Sequence, residues 1–144
     1  MSRVFLIEPT KHLDLAPALK YGELVTVFDP KSLQRRAADG SRVFRPSVFN
    51  PNEYGRTFLA DLERHDFDPD SDYVIVAGGV IGITIAVTAV MLKYGRARLL
   101  VFNSTQNEYV DKHIEASEIT TCDTNTTTGT VTSSLTPLRD TARR

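Results

Sequence analysis

A single small α/β domain with a mostly parallel sheet of four or five strands is the fold class this sequence predicts, and three observations predict it. Short apolar runs alternate with segments of helical period. Tyr73 to Phe102 reads strand, Gly-Gly turn, apolar helix, Gly stop, strand, which is the length of one βαβ unit. Hydrophobic residues fill 41% of the 144 positions and charged ones 24%, which suits one packed core.

The elements follow in order. Arg3 to Ile7 is a short apolar run closed by Glu8-Pro9, the pattern of a buried strand. Asp14 to Tyr21 predicts a short helix, with Asp14 as N-cap, Pro17 in its first turn and Gly22 as its stop. Glu23 to Phe28 is a second strand, closed by Asp29-Pro30. Residues 30–50 show no clear period. Asn50, Pro51 and Glu53 then fill N-cap, first position and third position of a helix running to about Arg64. Its apolar face is Tyr54, Phe58, Leu59 and Leu62. An acidic turn, Asp66 to Asp72, leads into the strand Tyr-Val-Ile-Val-Ala at 73–77. Gly78-Gly79 turns the chain, an apolar helix runs from Val80 or Ile81 to Tyr94, and Gly95 ends it. Ala97 to Phe102 is a buried strand, and Glu108 to Ile114 alternates as an edge strand should.

Composition changes once, near residue 116. The domain is therefore placed at 1–115 and a Thr-rich, low-complexity tail at 116–144. Its few apolar residues do not offset the entropy of ordering it, so a neighbour would have to hold it down. Seventeen basic against eighteen acidic residues give a net charge of -1, which excludes nucleic-acid binding by bulk positive charge. Cys122 is the single cysteine, so neither a disulfide framework nor a multi-cysteine zinc site is expected. Met1-Ser2-Arg3 leads straight into an apolar strand, too short for a signal peptide, and the expected location is the cytoplasm.

The run Tyr73 to Leu92 has a competing reading, because it is uncharged throughout and long enough to span a bilayer as one helix. Gly78 and Gly82 have the spacing of a membrane-helix contact, and Lys93, Arg96 and Arg98 follow. Adjacent glycines weaken a helix but suit a strand-to-helix turn, and a further buried strand follows at once. The βαβ reading is the stronger, and membrane insertion is not expected.

In a parallel sheet, ligands bind beyond the carboxyl ends of the strands. Those ends carry Glu8 with Thr10 and His12, then Asp29, Gly78-Gly79, and Asn103 with Thr105. The backbone N–H groups of Gly79 to Gly82 would face the same rim, so Glu8, Asp29, Gly78, Gly79, Gly82, Asn103 and Thr105 form a candidate ligand set. The pattern is neither G-x-G-x-x-G nor a P-loop, and each of these residues also suits a plain turn. His12, His65 and His113 lack metal-ligand spacing, no G-x-S-x-G elbow exists, and Cys122 has no cationic neighbour in sequence. No catalytic residue, metal or cofactor is expected. Lys31, Arg35, Arg36, Arg42 and Arg45, with Phe44 and Phe49 nearby, form a basic stretch suited to single-stranded nucleic acid or simply to a solvated loop.

Asp-Tyr-Val-Ile-Val-Ala-Gly at 72–78, Tyr-Gly-Arg-Ala-Arg-Leu-Leu-Val-Phe at 94–102 and Glu-Tyr-Val at 108–110, with Tyr-Gly-Glu-Leu-Val at 21–25 upstream, resemble small uncharacterised proteins of tailed bacteriophages. The resemblance covers about residues 1–114 and brings no active residues with it. It implies a phage context in host cytoplasm or virion, where small proteins bind other macromolecules. The expected function is non-enzymatic binding or assembly, with other protein chains as partners, virion proteins or further copies of itself. Small-ligand binding at the strand ends is the alternative.

Overall fold

A computed structural model of the chain describes residues 1–10, 13–28 and 46–121. Strands β1 (Arg3–Leu6), β2 (Glu23–Thr26), β3 (Tyr73–Ile75), β4 (Arg96–Asn103) and β5 (Glu108–Glu115) form one sheet in the order β2-β1-β3-β4-β5. The first four are parallel, and β5 returns antiparallel to β4 along its whole length. A 3-10 helix, Ala16–Tyr21, joins β1 to β2. The helices are α1 (Pro51–Arg64), α2 (Val80–Tyr94) and α3 (Ala116–Thr120). The predicted α/β class and the βαβ unit, here β3–α2–β4, both hold.

Strand alternation sends successive side chains to opposite faces, and the chain uses both. Phe5 and Ile7 join Val74, Ala97 and Leu99 beneath Tyr54, Phe58 and Leu62 of α1 and Ala86, Ala89 and Val90 of α2. Val4 and Leu6 join Tyr73, Ile75, Leu100 and Tyr109 beneath Ala18 of the 3-10 helix. The chain thus crosses one face between β1 and β2 and the other face through α1 and α2, which is double winding.

Local chemistry explains most boundaries. Gly95 ends α2 in the left-handed region at φ 75°, its N–H donating to Met91 O at 2.9 Å. At Gly22 (φ 156°) a Cβ would lie 2.2 Å from Ser2 O, so the turn into β2 needs glycine. The predicted helix at 14–21 is instead a 3-10 turn with Leu15 at its cap position. Asp14 still serves its start, its Oδ1 accepting from Ala16 N at 2.9 Å, but Ala18 N donates to Leu15 O at 3.0 Å and Gly22 N to Leu19 O at 3.3 Å, the three-residue spacing of the tighter helix. Asn50 precedes α1 as expected, yet its Nδ2 donates to Glu53 Oε2 at 2.8 Å and its side chain makes no capping bond to the helix's first N–H groups. Ala116 to Thr120, assigned to the tail on composition, form α3; residues 122–144 lie outside the described residues.

The acidic turn holds the amino-terminal end of the sheet together. Asp72 is buried, accepting from Arg3 N at 2.9 Å, Asp68 N at 2.8 Å and the Arg3 guanidinium at 2.8 Å. Arg96 pairs with Asp70 at 2.7 Å and Arg98 with Asp111 at 3.3 Å, while the Arg98 guanidinium lies 4.2 Å from the Tyr73 ring centre. Asp68 accepts from Asp70 N and Ser71 Oγ, and the Asp70 bond chiefly, then Ser71, holds its carboxyl below the usual aspartate range.

Candidate functional site

Parallel pairing brings the strand ends to one rim, level with one another. Phe5 pairs with Val74 and Ile75 with Leu100, so Glu8 and Gly78, just past β1 and β3, lie at heights neighbouring that of Asn103, the last residue of β4. The connections leave opposite faces of the sheet on either side of the β1–β3 boundary, which makes that boundary the topological switch point.

Glu8 lies at that switch point. Its Oε1 accepts from the Tyr54 hydroxyl at 2.9 Å. Tyr54 is fully buried, its ring 5.0 Å from that of Phe28, so α1 delivers the hydroxyl on a rigid support. Gly82 lies in the first turn of α2, where a Cβ would stand 3.0 Å from the Tyr54 hydroxyl oxygen. Its glycine is thus explained by the close approach of Tyr54, a residue read from sequence only as core. Gly78 (φ 118°) and Gly79 are exposed, with nothing within 4 Å of an added Cβ. Gly79 precedes α2 and its carbonyl accepts from Ile83 N at 3.0 Å; among the described residues no side-chain hydrogen bond caps this helix start. Such a start favours an anion.

The rest of the predicted set is dispersed. Asn103 is level with the rim, but its Oδ1 accepts from Thr105 N at 3.1 Å and shapes the β4–β5 turn. Because β5 folds back on β4, Thr105 sits in that turn with its backbone, not its side chain, in the bond. Asp29, His12, Cys122 and the basic residues Lys31, Arg35, Arg36, Arg42 and Arg45 lie outside the described residues. Among the described residues no group of three His, Cys, Asp or Glu side chains is placed to hold a metal ion.

A second surface was not legible in the sequence. Helix α2 is apolar all round, and only part of it faces the sheet. Outward lie Val80 at 79%, Ile81 at 51% and Leu92 at 82% exposure. Between α1 and α2 runs an open apolar groove of about 330 Å3, lined by Pro51, Gly55 and Leu59 on one side and Ile85, Thr88 and Leu92 on the other. Gly55 lies at its floor, where an added Cβ would make ordinary van der Waals contact with Ile85 Cγ2 at 3.5 Å and Ala89 Cβ at 3.8 Å. Among the described residues no helix is long and apolar enough to cross a membrane, because the uncharged run 73–92 is divided between β3, the glycine turn and α2.

Fold and surfaces together define a doubly wound α/β domain with a topological switch point at its strand ends and exposed apolar residues along one helix. The chain belongs to the Phage Pam3 gp32-like protein family, whose model matches residues 3–116, the whole sheet and the helices that cover it. The resemblance to uncharacterised phage proteins therefore holds. No curated protein and no solved structure matches the chain.

Proposed function

We propose that this phage protein is a non-enzymatic assembly component, in host cytoplasm or virion, that acts through protein–protein contacts made by its α1–α2 face and its tail at 116–144. One observation carries the reading: the outward side of α2 offers exposed Val80, Ile81 and Leu92 with no charge between Val80 and Leu92. A helix apolar on every side is ordinarily covered on every side, and an exposed apolar patch marks a contact surface. The test is recovery of the chain with purified phage particles, or with a phage protein, from infected cells. Leu92→Glu and deletion of 116–144 are each expected to lower recovery at least about tenfold. Unchanged recovery with both variants overturns the proposal.

A second reading takes the strand-end switch point as a small-ligand site for a nucleotide or phosphorylated signal molecule. It is favoured by the neighbouring heights of Glu8 and Gly78 at the switch point, with Asn103 level beside them at the end of β4, and by the start of α2 behind Gly79, which has no side-chain cap among the described residues. Thermal-shift screening against nucleotides is expected to give a stabilising hit that Gly79→Asp removes. Absence of any hit disposes of this reading.

A further inference from the structure

The α1–α2 face is read above as a contact surface, and the identity of its occupant rests on that reading. We infer that the occupant is a second copy of this chain, related by a two-fold axis that lies in the plane between the two helix layers and crosses the helices, with each α2 antiparallel to its mate. The apolar stripe is self-complementary. Ile81, Ile85, Thr88 and Leu92 follow one another at spacings of four, three and four, one line along the helix that reads the same from either end. A two-fold axis at its middle sets Ile81 against Leu92 of the second copy and Ile85 against Thr88.

The charges beside the groove obey the same symmetry. Arg56 and Glu63 lie seven residues apart on α1, two turns along one side of the helix, straddling Leu59. Arg56 lines the groove and has no ion pair with a described residue, and Glu63 is exposed, pairing with Lys93 of its own chain through one carboxylate oxygen, Oε1. The two-fold axis brings each Arg56 to Glu63 of the other copy, twice per pair. One axis serves both helices, because α1 and α2 run side by side in the same direction. Tyr54 lies against Gly82, Gly55 against Ile85, and Glu63 against Lys93. The midpoint of Arg56 and Glu63 therefore falls within about one helical turn, roughly 5 Å, of the midpoint of Ile81 and Leu92. A lipid surface fits less well: membrane-surface helices flank their apolar face with several Lys or Arg, whereas here Arg56 lines the groove and the nearby Lys93 is already paired with Glu63.

Sedimentation velocity on the full chain at tens of micromolar tests this, with circular dichroism confirming that each variant folds. The wild type is expected to be a dimer and Leu92→Glu a monomer. Leu92 is largely exposed in one chain, so this change should leave the fold intact. Arg56→Glu alone and Glu63→Arg alone each place like charges face to face, and each is expected to weaken the dimer about tenfold or more. An equimolar mixture of those two variants is expected to recover the dimer, because every facing pair in the mixed species is opposite in sign. A monomeric wild type, a dimer indifferent to Leu92→Glu, or a mixture no tighter than its components overturns the inference. A monomer whose particle recovery still falls with Leu92→Glu removes the second copy and leaves the contact surface standing. A dimer with particle recovery unaffected by that variant and by the tail deletion keeps the inference and removes the assembly role.

Discussion

Asp72 shows how one carboxylate can anchor an end of a sheet. It is 1% exposed, yet it accepts from two backbone N–H groups and from the Arg3 guanidinium, so its charge is well satisfied. Asp72→Ala removes those acceptors and leaves Arg3 N and Asp68 N without them. The expected loss is about 2 to 3 kcal/mol in urea unfolding, discounted because Arg3 is partly exposed. A change under about 0.5 kcal/mol would show the anchor to be ornamental. The sequence could not single this residue out. Asp66, Asp68, Asp70 and Asp72 look alike in composition, and the arginine that selects one of them is 69 positions away. Glu8 was legible as a strand-end carboxylate, but its partner Tyr54, 46 residues on, was not.

At the scale of elements, α2 is fixed by glycines with different tasks. Gly95 and Gly79 act on their own neighbours, and both were readable as stop and start. Gly82 acts on Tyr54 in another helix, so local pattern gave no hint of its role. An alanine there should gain about 0.5 to 1 kcal/mol of helix propensity but must displace a hydroxyl 3.0 Å from the new methyl. Gly82→Ala is therefore expected to be neutral or destabilising in the wild type. In a Tyr54→Phe background, with the hydroxyl gone, it should stabilise by up to about 1 kcal/mol. Equal effects in the two backgrounds, measured as a double-mutant cycle, would show that the contact constrains nothing. The exposed stripe of α2 escaped sequence reading for a related reason. A helix apolar on all sides has no period to separate its covered face from its bare one. The antiparallel return of β5 was equally hidden, since alternation marks an edge strand without giving its direction.

Across the whole molecule, the sheet is covered on both faces by different means, and one tyrosine on each face reports on that covering. Tyr94 at the end of α2 packs against the core beneath the helices, and Tyr109 of β5 lies in the core beneath the 3-10 helix. Tyr109 donates to Asp14 O at 3.3 Å, and its backbone carbonyl accepts from the Tyr21 hydroxyl at 2.7 Å, tying β5 to the connection between β1 and β2. Burial raises both phenols above the usual tyrosine value of 10.0, and at Tyr109 the Asp14 carboxylate adds to it. The unfolded chain therefore loses these protons first as pH rises. The stability they contribute is whole below pH 10 and is lost as pH climbs from there through the folded values. Urea midpoints are expected to hold level up to about that pH and then to fall, with the phenolate absorbance of the folded chain lagging behind that of the unfolded one. Tyr94→Phe and Tyr109→Phe should each flatten part of the alkaline decline, and the double variant more than either. An alkaline decline of unchanged steepness in the double variant would mean that the two faces do not hold their phenols protonated, and that other groups drive the loss.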